Sequence, residues 1–238
     1  MTHVSLFTGI GGLDLAAEAA GFETVLQVER EPFPLQVLEK HWPNVPRITD
    51  VREVHNDERW RNTTVISGGF PCQPFSKASH GRKTAEDLSG EFVRVVQELR
   101  PKYAIGENVS DGIIGAVCAQ LRDIGYRATT EHSRAFDYGA SHLRHRWWAV
   151  AYPNDEGQFL SILHAKMAEL RQIQDDMWAA KNYARVIRVH DGLSGRVDRN
   201  RTARLKALGN AVVPAQASPI FAAIAEAENN RHTHKTMI

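Results

Sequence analysis

The feature that most constrains this chain is an alternation of short apolar runs with amphipathic helical segments, opened by a strand that breaks on glycines. His3–Phe7 is a strand-like run entering Thr8-Gly9-Ile10-Gly11-Gly12; Leu13–Ala20 then has helical spacing and ends at Gly21, and a second strand, Thr24–Val28, closes on Glu29. Strand, glycine turn, helix and strand make one βαβ unit, whose parallel strands need the helix as a crossover. The alternation continues with a helix around Phe33–His41, strands at Val65–Ser67 and Tyr103–Gly106, helices near Glu91–Leu99 and Gly115–Ile124, and strands at Tyr126–Glu131 and Arg146–Tyr152. Repeated units of this kind predict an α/β fold, a mostly parallel sheet with helices on both faces.

After Pro153 the pattern changes. Asn154-Asp155-Glu156-Gly157 is turn-forming, Phe159–Tyr183 reads as one long, mainly polar helix, Gly192 and Gly195 with the arginines after them read as an irregular basic loop, and Pro214–Glu228 reads as a closing helix. The division expected is therefore a core over 1–152, a short insertion over 153–206 and a segment over 207–238 that returns to the core. No internal repeat or low-complexity segment interrupts it.

With 238 residues the chain can bury one substantial core, and its 42% hydrophobic and 24% charged residues are ordinary for a globular protein. Apolar stretches such as Ala222–Ala225 and Trp147–Tyr152 are too short to cross a bilayer, and Met1-Thr2-His3 lacks the basic start of a signal peptide. The expected setting is cytoplasmic. Two cysteines, Cys72 between prolines and Cys118 inside an amphipathic helical pattern, make a disulfide framework unattractive and fit a reducing compartment. Charge is nearly balanced overall, but Arg185, Arg188, Arg196, Arg199, Arg201, Arg204 and Lys206 meet only Asp191 and Asp198. Such an excess suits phosphates, and a solvated charged surface explains it equally well.

Five segments carry candidate chemistry. In Phe7-Thr8-Gly9-Ile10-Gly11-Gly12 the small residues let backbone amides approach a ligand at a helix N-terminus, with Glu29 placed to accept from ribose hydroxyls; packing alone also produces such turns. Asp50 suits an adenine amino group or, more simply, a helix cap. Gly68-Gly69-Phe70-Pro71-Cys72-Gln73-Pro74-Phe75-Ser76 follows a strand, and its prolines fix φ so that a rigid loop presents the Cys72 thiol. An isolated cysteine is more often a small buried hydrophobe, the reading given to Cys118. Glu107-Asn108-Val109 puts an acid at a strand end, where desolvation raises a carboxyl pKa and suits it to donate a proton; a helix cap is the bland alternative. Arg144-His145-Arg146 places two guanidinium groups on one side of an extended segment, a base-holding pair or an exposed edge. Leu208-Gly209-Asn210-Ala211-Val212-Val213-Pro214 reads as a turn entering the last helix, with proline in its first turn.

Taken in order, Phe-x-Gly-x-Gly-Gly, Pro-Cys-Gln, Glu-Asn-Val, Arg-x-Arg and Gly-Asn-x-Val resemble the cytosine carbon-5 DNA methyltransferases over about Val4–Tyr152 and Ala207–Phe221. The resemblance implies a Rossmann-like S-adenosylmethionine-dependent methyltransferase fold and methylation of cytosine in double-stranded DNA, with S-adenosylmethionine as cofactor and no metal. It makes Cys72 the nucleophile, Glu107 the group at cytosine N3, and Arg146 with Arg144 the contact that holds the flipped base. Cofactor contacts would fall to Phe7, Gly9, Gly11, Glu29, Asp50, Pro71, Leu88 and Asn210, and DNA contacts to Lys77, Arg82, Arg196 and Arg199, the first two on a loop that closes over the base. It makes 153–206 a short target-recognition region and implies a monomer in a bacterial or phage-infected cell, with a cognate restriction endonuclease as partner. The segment Glu86–Phe92 departs from the family's Asp-x-Arg-Gly, and His142 stands where the family carries glutamine. A tRNA cytosine methyltransferase and a catalytically silent DNA-binding module are the alternatives.

Overall fold

The computed structural model describes residues 1–71, 86–140, 142–154, 158–180 and 201–236. Strands β1 (Thr2–Leu6), β2 (Glu23–Val28), β3 (Arg47–Ile48), β4 (Val65–Gly68), β5 (Tyr103–Asn108), β6 (Arg127–Arg134) and β7 (His145–Tyr152) form one sheet in the order β3-β2-β1-β4-β5-β7-β6. Every pairing from β3 to β5 is parallel, and β7 runs antiparallel between β5 and β6. This is the expected Rossmann-like α/β sheet, reversed in strand order beside β1, where ligands bind in such folds.

The central strands are buried on both faces, so their residues divide by alternation. Val4, Leu6, Ile66 and Ala104 join one core with Phe92, Val95, Val96, Val117 and Leu121 from α3 (Ser89–Leu99) and α4 (Asp111–Asp123). Val65, Tyr103, Ile105, Trp148 and Val150 face the opposite core with α1 (Gly12–Ala19), α5 (Gln158–Ala180) and α7 (Pro214–Thr236). Helix α2 (Pro32–His41) follows β2, and Arg47 of the edge strand β3 donates to its Leu38 carbonyl (2.8 Å).

Several elements depart from the sequence reading for local reasons. Helix α4 starts at Asp111, earlier than expected, because the Ser110 hydroxyl accepts from the Ile113 amide (3.4 Å) and caps it. The region read as an irregular basic loop ends in a helix, α6 (Arg201–Asn210), so Leu208-Gly209-Asn210 is the end of one helix rather than a turn into the next. Helix α5 looked polar, yet Phe159, Leu163 and Met167, four residues apart, pack its first turns into the core with Tyr103, Tyr152 and Phe221. Among the described residues no single helix is long and apolar enough to cross a membrane.

Directly beneath the glycine turn lies a polar cluster without a cation. The buried Asp14 carboxylate accepts from Ser5 Oγ (2.9 Å) and Gln27 Nε2 (2.9 Å), and burial pushes its pKa up to about 6. A raised folded-state pKa means that the folded chain holds this proton more tightly than the unfolded one. The resulting stabilisation is complete below the unfolded value of 3.8 and is lost as pH rises through about 6, a change of about 3 kcal/mol. Asp14→Asn should remove that loss: the difference in unfolding free energy between pH 4 and pH 7.5, from denaturant titrations, is expected to shift toward stability at the higher pH relative to the unaltered protein. An unchanged difference would show that Asp14 does not titrate with folding.

Candidate active site

Parallel register sets the site. Leu6 pairs with Gly68 and Gly68 with Gly106, so Phe7 and Gly69, the first residues beyond β1 and β4, come level with Glu107 near the end of β5 at the same edge. Phe7 turns there with φ 51, followed by Gly9 at φ 58 and Gly11 at φ 87. Glycine adopts these angles without the clash a Cβ would make with its own backbone. The Gly9 and Glu31 amides donate to the two oxygens of Glu29 (2.7 Å each), so the acid ending β2 organises the turn. A Cβ on Gly9 would meet nothing within 4 Å, whereas one on Gly11 would lie 2.4 Å from the Trp42 ring. The turn is thus open at Gly9 and covered at Gly11.

Phe7 lies edge-on to Phe70, with centroids 6.5 Å apart. Leu88 is buried, and its amide donates to the Pro71 carbonyl (3.4 Å), closing the base of the loop that follows β4. Asp50 behaves as a cap: its carboxylate accepts from the Arg52 amide (2.9 Å) and guanidinium (3.1 Å), which hold its pKa below the usual range. Asn210 is exposed at the end of α6, and its segment meets the turn through Val212 instead. A left-handed glycine turn before a helix, an acid ending β2 and the Phe7 ring together fit an adenosine-bearing ligand such as S-adenosylmethionine.

Alternation puts Glu107 and Arg146 on the sheet face that carries Ile105 and Trp148. The Arg146 guanidinium pairs with the Glu107 carboxylate, both nearly buried at 12% and 9% side-chain exposure. Burial pushes the Glu107 pKa above its ordinary value, against the opposing pull of Arg146 and Arg144. Gly69 makes room for this acid, since a Cβ there would lie 2.9 Å from Glu107 Oε2. Asn108 does more than cap a helix: its amide donates to the Phe70 carbonyl (3.0 Å) and pins the chain just before Pro71, while its oxygen accepts from the Ser110 amide (3.1 Å).

The expected pairing of Arg144 with Arg146 on one extended segment is corrected. Arg144 precedes β7 with φ 37, and its guanidinium turns to donate to the carbonyls of Gly209 (2.8 Å) and Ala211. It is close enough to Glu107 and Arg146 to act on them by charge, and desolvation followed by Arg146 lowers its own pKa. Cys118 is buried with its Sγ 3.4 Å from the Thr129 carbonyl, the structural role expected of it, and His142 is exposed. Cys72, Lys77, Arg82, Arg196 and Arg199 lie outside the described residues.

The sequence motifs contain Gly69, Asn108 and the connector 211–213, but the room that Gly69 leaves, the bond of the Asn108 amide to Phe70 and the packing of the connector on the turn were not legible in them. The connector is pressed against the turn so closely that a Cβ on Gly12 would lie 2.4 Å from the Val212 carbonyl oxygen. Backbone cannot yield as a flexible side chain does. Gly12→Ala should therefore destabilise the protein by about 1–3 kcal/mol, measured as a lower denaturant midpoint, and an unchanged midpoint would show that the connector is not packed as described.

Known proteins resemble this chain in sequence and fold. The profile of the C-5 cytosine-specific DNA methylase family matches residues 1–209. Type II methyltransferase M.FnuDI of Fusobacterium nucleatum is 29% identical over 77% of this chain and 57% of its own length. Type II methyltransferase M.NgoMIV of Neisseria gonorrhoeae is 32% identical over 66% of this chain and 54% of its own. The chain spans about half the length of the curated relatives it matches. A crystal structure of a candidate DNA modification methyltransferase encoded within an Escherichia coli prophage superposes with TM-score 0.54 at 25% identity, over 66% of this chain and 47% of that one. With the profile covering most of the chain and the site built on its motifs, the chain belongs to the C-5 cytosine-specific DNA methylase family.

Proposed function

We propose that the chain methylates carbon 5 of cytosine in double-stranded DNA, using S-adenosylmethionine and transient covalent attachment of the base to Cys72. The observation that carries this reading is the buried Glu107 carboxyl, raised in pKa and paired with Arg146, beside the β4 exit that leads through Phe70 and Pro71 to Cys72.

Carbon 5 of cytosine is a weak nucleophile because the ring is electron-poor, so a thiolate must first add to carbon 6. Cys72 Sγ forms that bond, and the displaced ring electrons make carbon 5 enamine-like. Glu107 holds a proton at N3 and so stabilises the charge that the addition puts on the ring, while Arg146 fixes the carboxyl's position and holds the base from its other edge. Phe7, Gly9, Gly11, Glu29, Asp50, Pro71, Leu88 and Asn210 would hold S-adenosylmethionine, which when bound would supply the electrophilic methyl group for carbon 5 and leave as S-adenosylhomocysteine. Loss of the carbon-5 proton then expels the Cys72 thiolate and restores the ring. Because the target carbon lies inside a stacked duplex, the base must be flipped out to reach the site. Lys77 and Arg82 after the nucleophile, and Arg196 and Arg199 in the 153–206 insertion, are assigned to DNA phosphates, with 1–152 and 207–238 forming the core.

Radiolabelled methyl transfer to unmethylated duplex DNA and, in parallel, to tRNA tests the reading. Transfer to DNA is expected, and transfer to tRNA alone would overturn the substrate. Cys72→Ala should abolish turnover while cofactor binding persists, and full activity in it would sink the mechanism. Glu107→Gln should lower kcat by about 10²- to 10³-fold. Since protonated Glu107 is the donor and its pKa is raised, kcat/KM should fall as pH rises through that value, a limb absent from Glu107→Gln.

A further inference from the structure

Arg146 reaches Glu107 only if the chain entering β7 arrives in one particular geometry. Arg144, two residues earlier, has φ 37, and a left-handed backbone in a residue with a side chain persists only when its surroundings enforce it. Three sets of contacts do so: the Ala135 amide donates to the Leu143 (2.7 Å) and Arg144 (3.3 Å) carbonyls, and two further sets involve the end of α6 with its connector and the start of α7. The Arg144 guanidinium donates to the Gly209 and Ala211 carbonyls, while its main-chain carbonyl accepts from Gln216 Nε2 (3.1 Å).

Gln216 lies in the first turn of α7 and is 1% exposed. The same Nε2 is 3.1 Å from Ser133 Oγ and 3.4 Å from the Ser133 carbonyl, and Ser133 Oγ also accepts from Trp148 Nε1 (2.8 Å). Ser133 is the register partner of Arg146, and Trp148 is that of Glu107. One buried amide is therefore bonded on both sides of the arginine. Its Oε1 has no hydrogen-bond partner among the described residues, so the contribution of this side chain is donation alone.

We propose that Gln216 is a positioning residue for the base-holding arginine: its amide fixes the Arg144 carbonyl and Ser133, and thereby the direction from which Arg146 meets Glu107. The connector that runs from Arg144's two anchor points to Gln216 packs Val212 against Gly12 through its own main chain, a contact that does not involve the Gln216 amide. This inference rests on the reading of Glu107 and Arg146 as the groups that hold cytosine.

The test compares the full chain with Gln216→Met, which keeps length and burial without a donor, and Gln216→Glu, which donates only while protonated. Turnover is followed on unmethylated linear phage DNA, and cofactor binding and melting temperature are measured alongside. Gln216→Met should lower kcat by about 10- to 100-fold, as misplacement of a reacting group does, with the cofactor Kd changed by no more than about threefold. Gln216→Glu should approach native turnover at low pH and lose it, relative to the native protein, as pH rises and its buried carboxyl ionises. An unchanged kcat in Gln216→Met, or a loss of kcat matched by equal losses of cofactor binding and melting temperature, would overturn the proposal. If Gln216→Met does not fold, the Gln216→Glu profile decides, and one that superimposes on the native profile also overturns it. A native protein that transfers no methyl to DNA overturns the functional reading itself, an outcome separate from these.

Discussion

The structure depends on a carboxyl group that has been taken out of water, so that its neutral form is favoured. Glu107 is buried at the end of a central strand, and desolvation of its charged form outweighs the attraction of the two neighbouring guanidinium groups. Such a group is useful only if nothing else relieves its burial, and the surroundings are built accordingly. Gly69 leaves the space it occupies, Asn108 draws the β4 loop past it, and Arg146 supplies one oriented partner. A solvated acid would keep an ordinary pKa and donate poorly at neutral pH.

The two ends of the fold contribute differently to this arrangement. Parallel register brings Phe7, Gly69 and Glu107 level at one edge at no further cost, because Leu6, Gly68 and Gly106 are in register on β1, β4 and β5. Arg146 comes instead from an antiparallel strand, in register with Ser133 of β6, whose entry at Arg144 lies just outside that ladder. Helix α7 helps to hold that entry. Gln216 bonds its main chain, while the connector just before α7 accepts from Arg144 and packs on Gly12.

Much of the fold and half of the site were legible in the sequence, for a physical reason that also explains the remainder. Strand-end glycines, the Glu29 that follows β2 and the apolar alternation of β5 are local patterns, and local patterns survive without knowledge of the partners. Asp50 shows the limit from one side, since its carboxylate caps the turn at Val51–Glu53, as a lone aspartate before a short apolar run often does. Arg144 shows it from the other. Residues two apart in a strand point the same way, but whether Arg144 belongs to the strand is decided by Gln216, 72 residues on, and by the end of α6. Helix α5 was misjudged similarly: a narrow stripe of Phe159, Leu163 and Met167 suffices to bury one side of a helix whose other side is polar.

Membership of the family rests on residues 1–209, yet the contacts that orient the arginines lie at and beyond the end of that span. A profile weights residue identity at each position, and a backbone carbonyl such as that of Ala211 or Val212 has no identity to weigh. The constraint appears instead on the partner: Gly12 must lack a side chain because a carbonyl presses on it, and Arg144 supplies a long cation whose one terminal nitrogen donates to two carbonyls at once. The closing segment therefore belongs to the site through its main chain. Within the connector it is the path of that main chain that matters, while α7 adds the buried core side chains Ile220, Phe221 and Ile224 and, at Gln216, side-chain chemistry directed at the site.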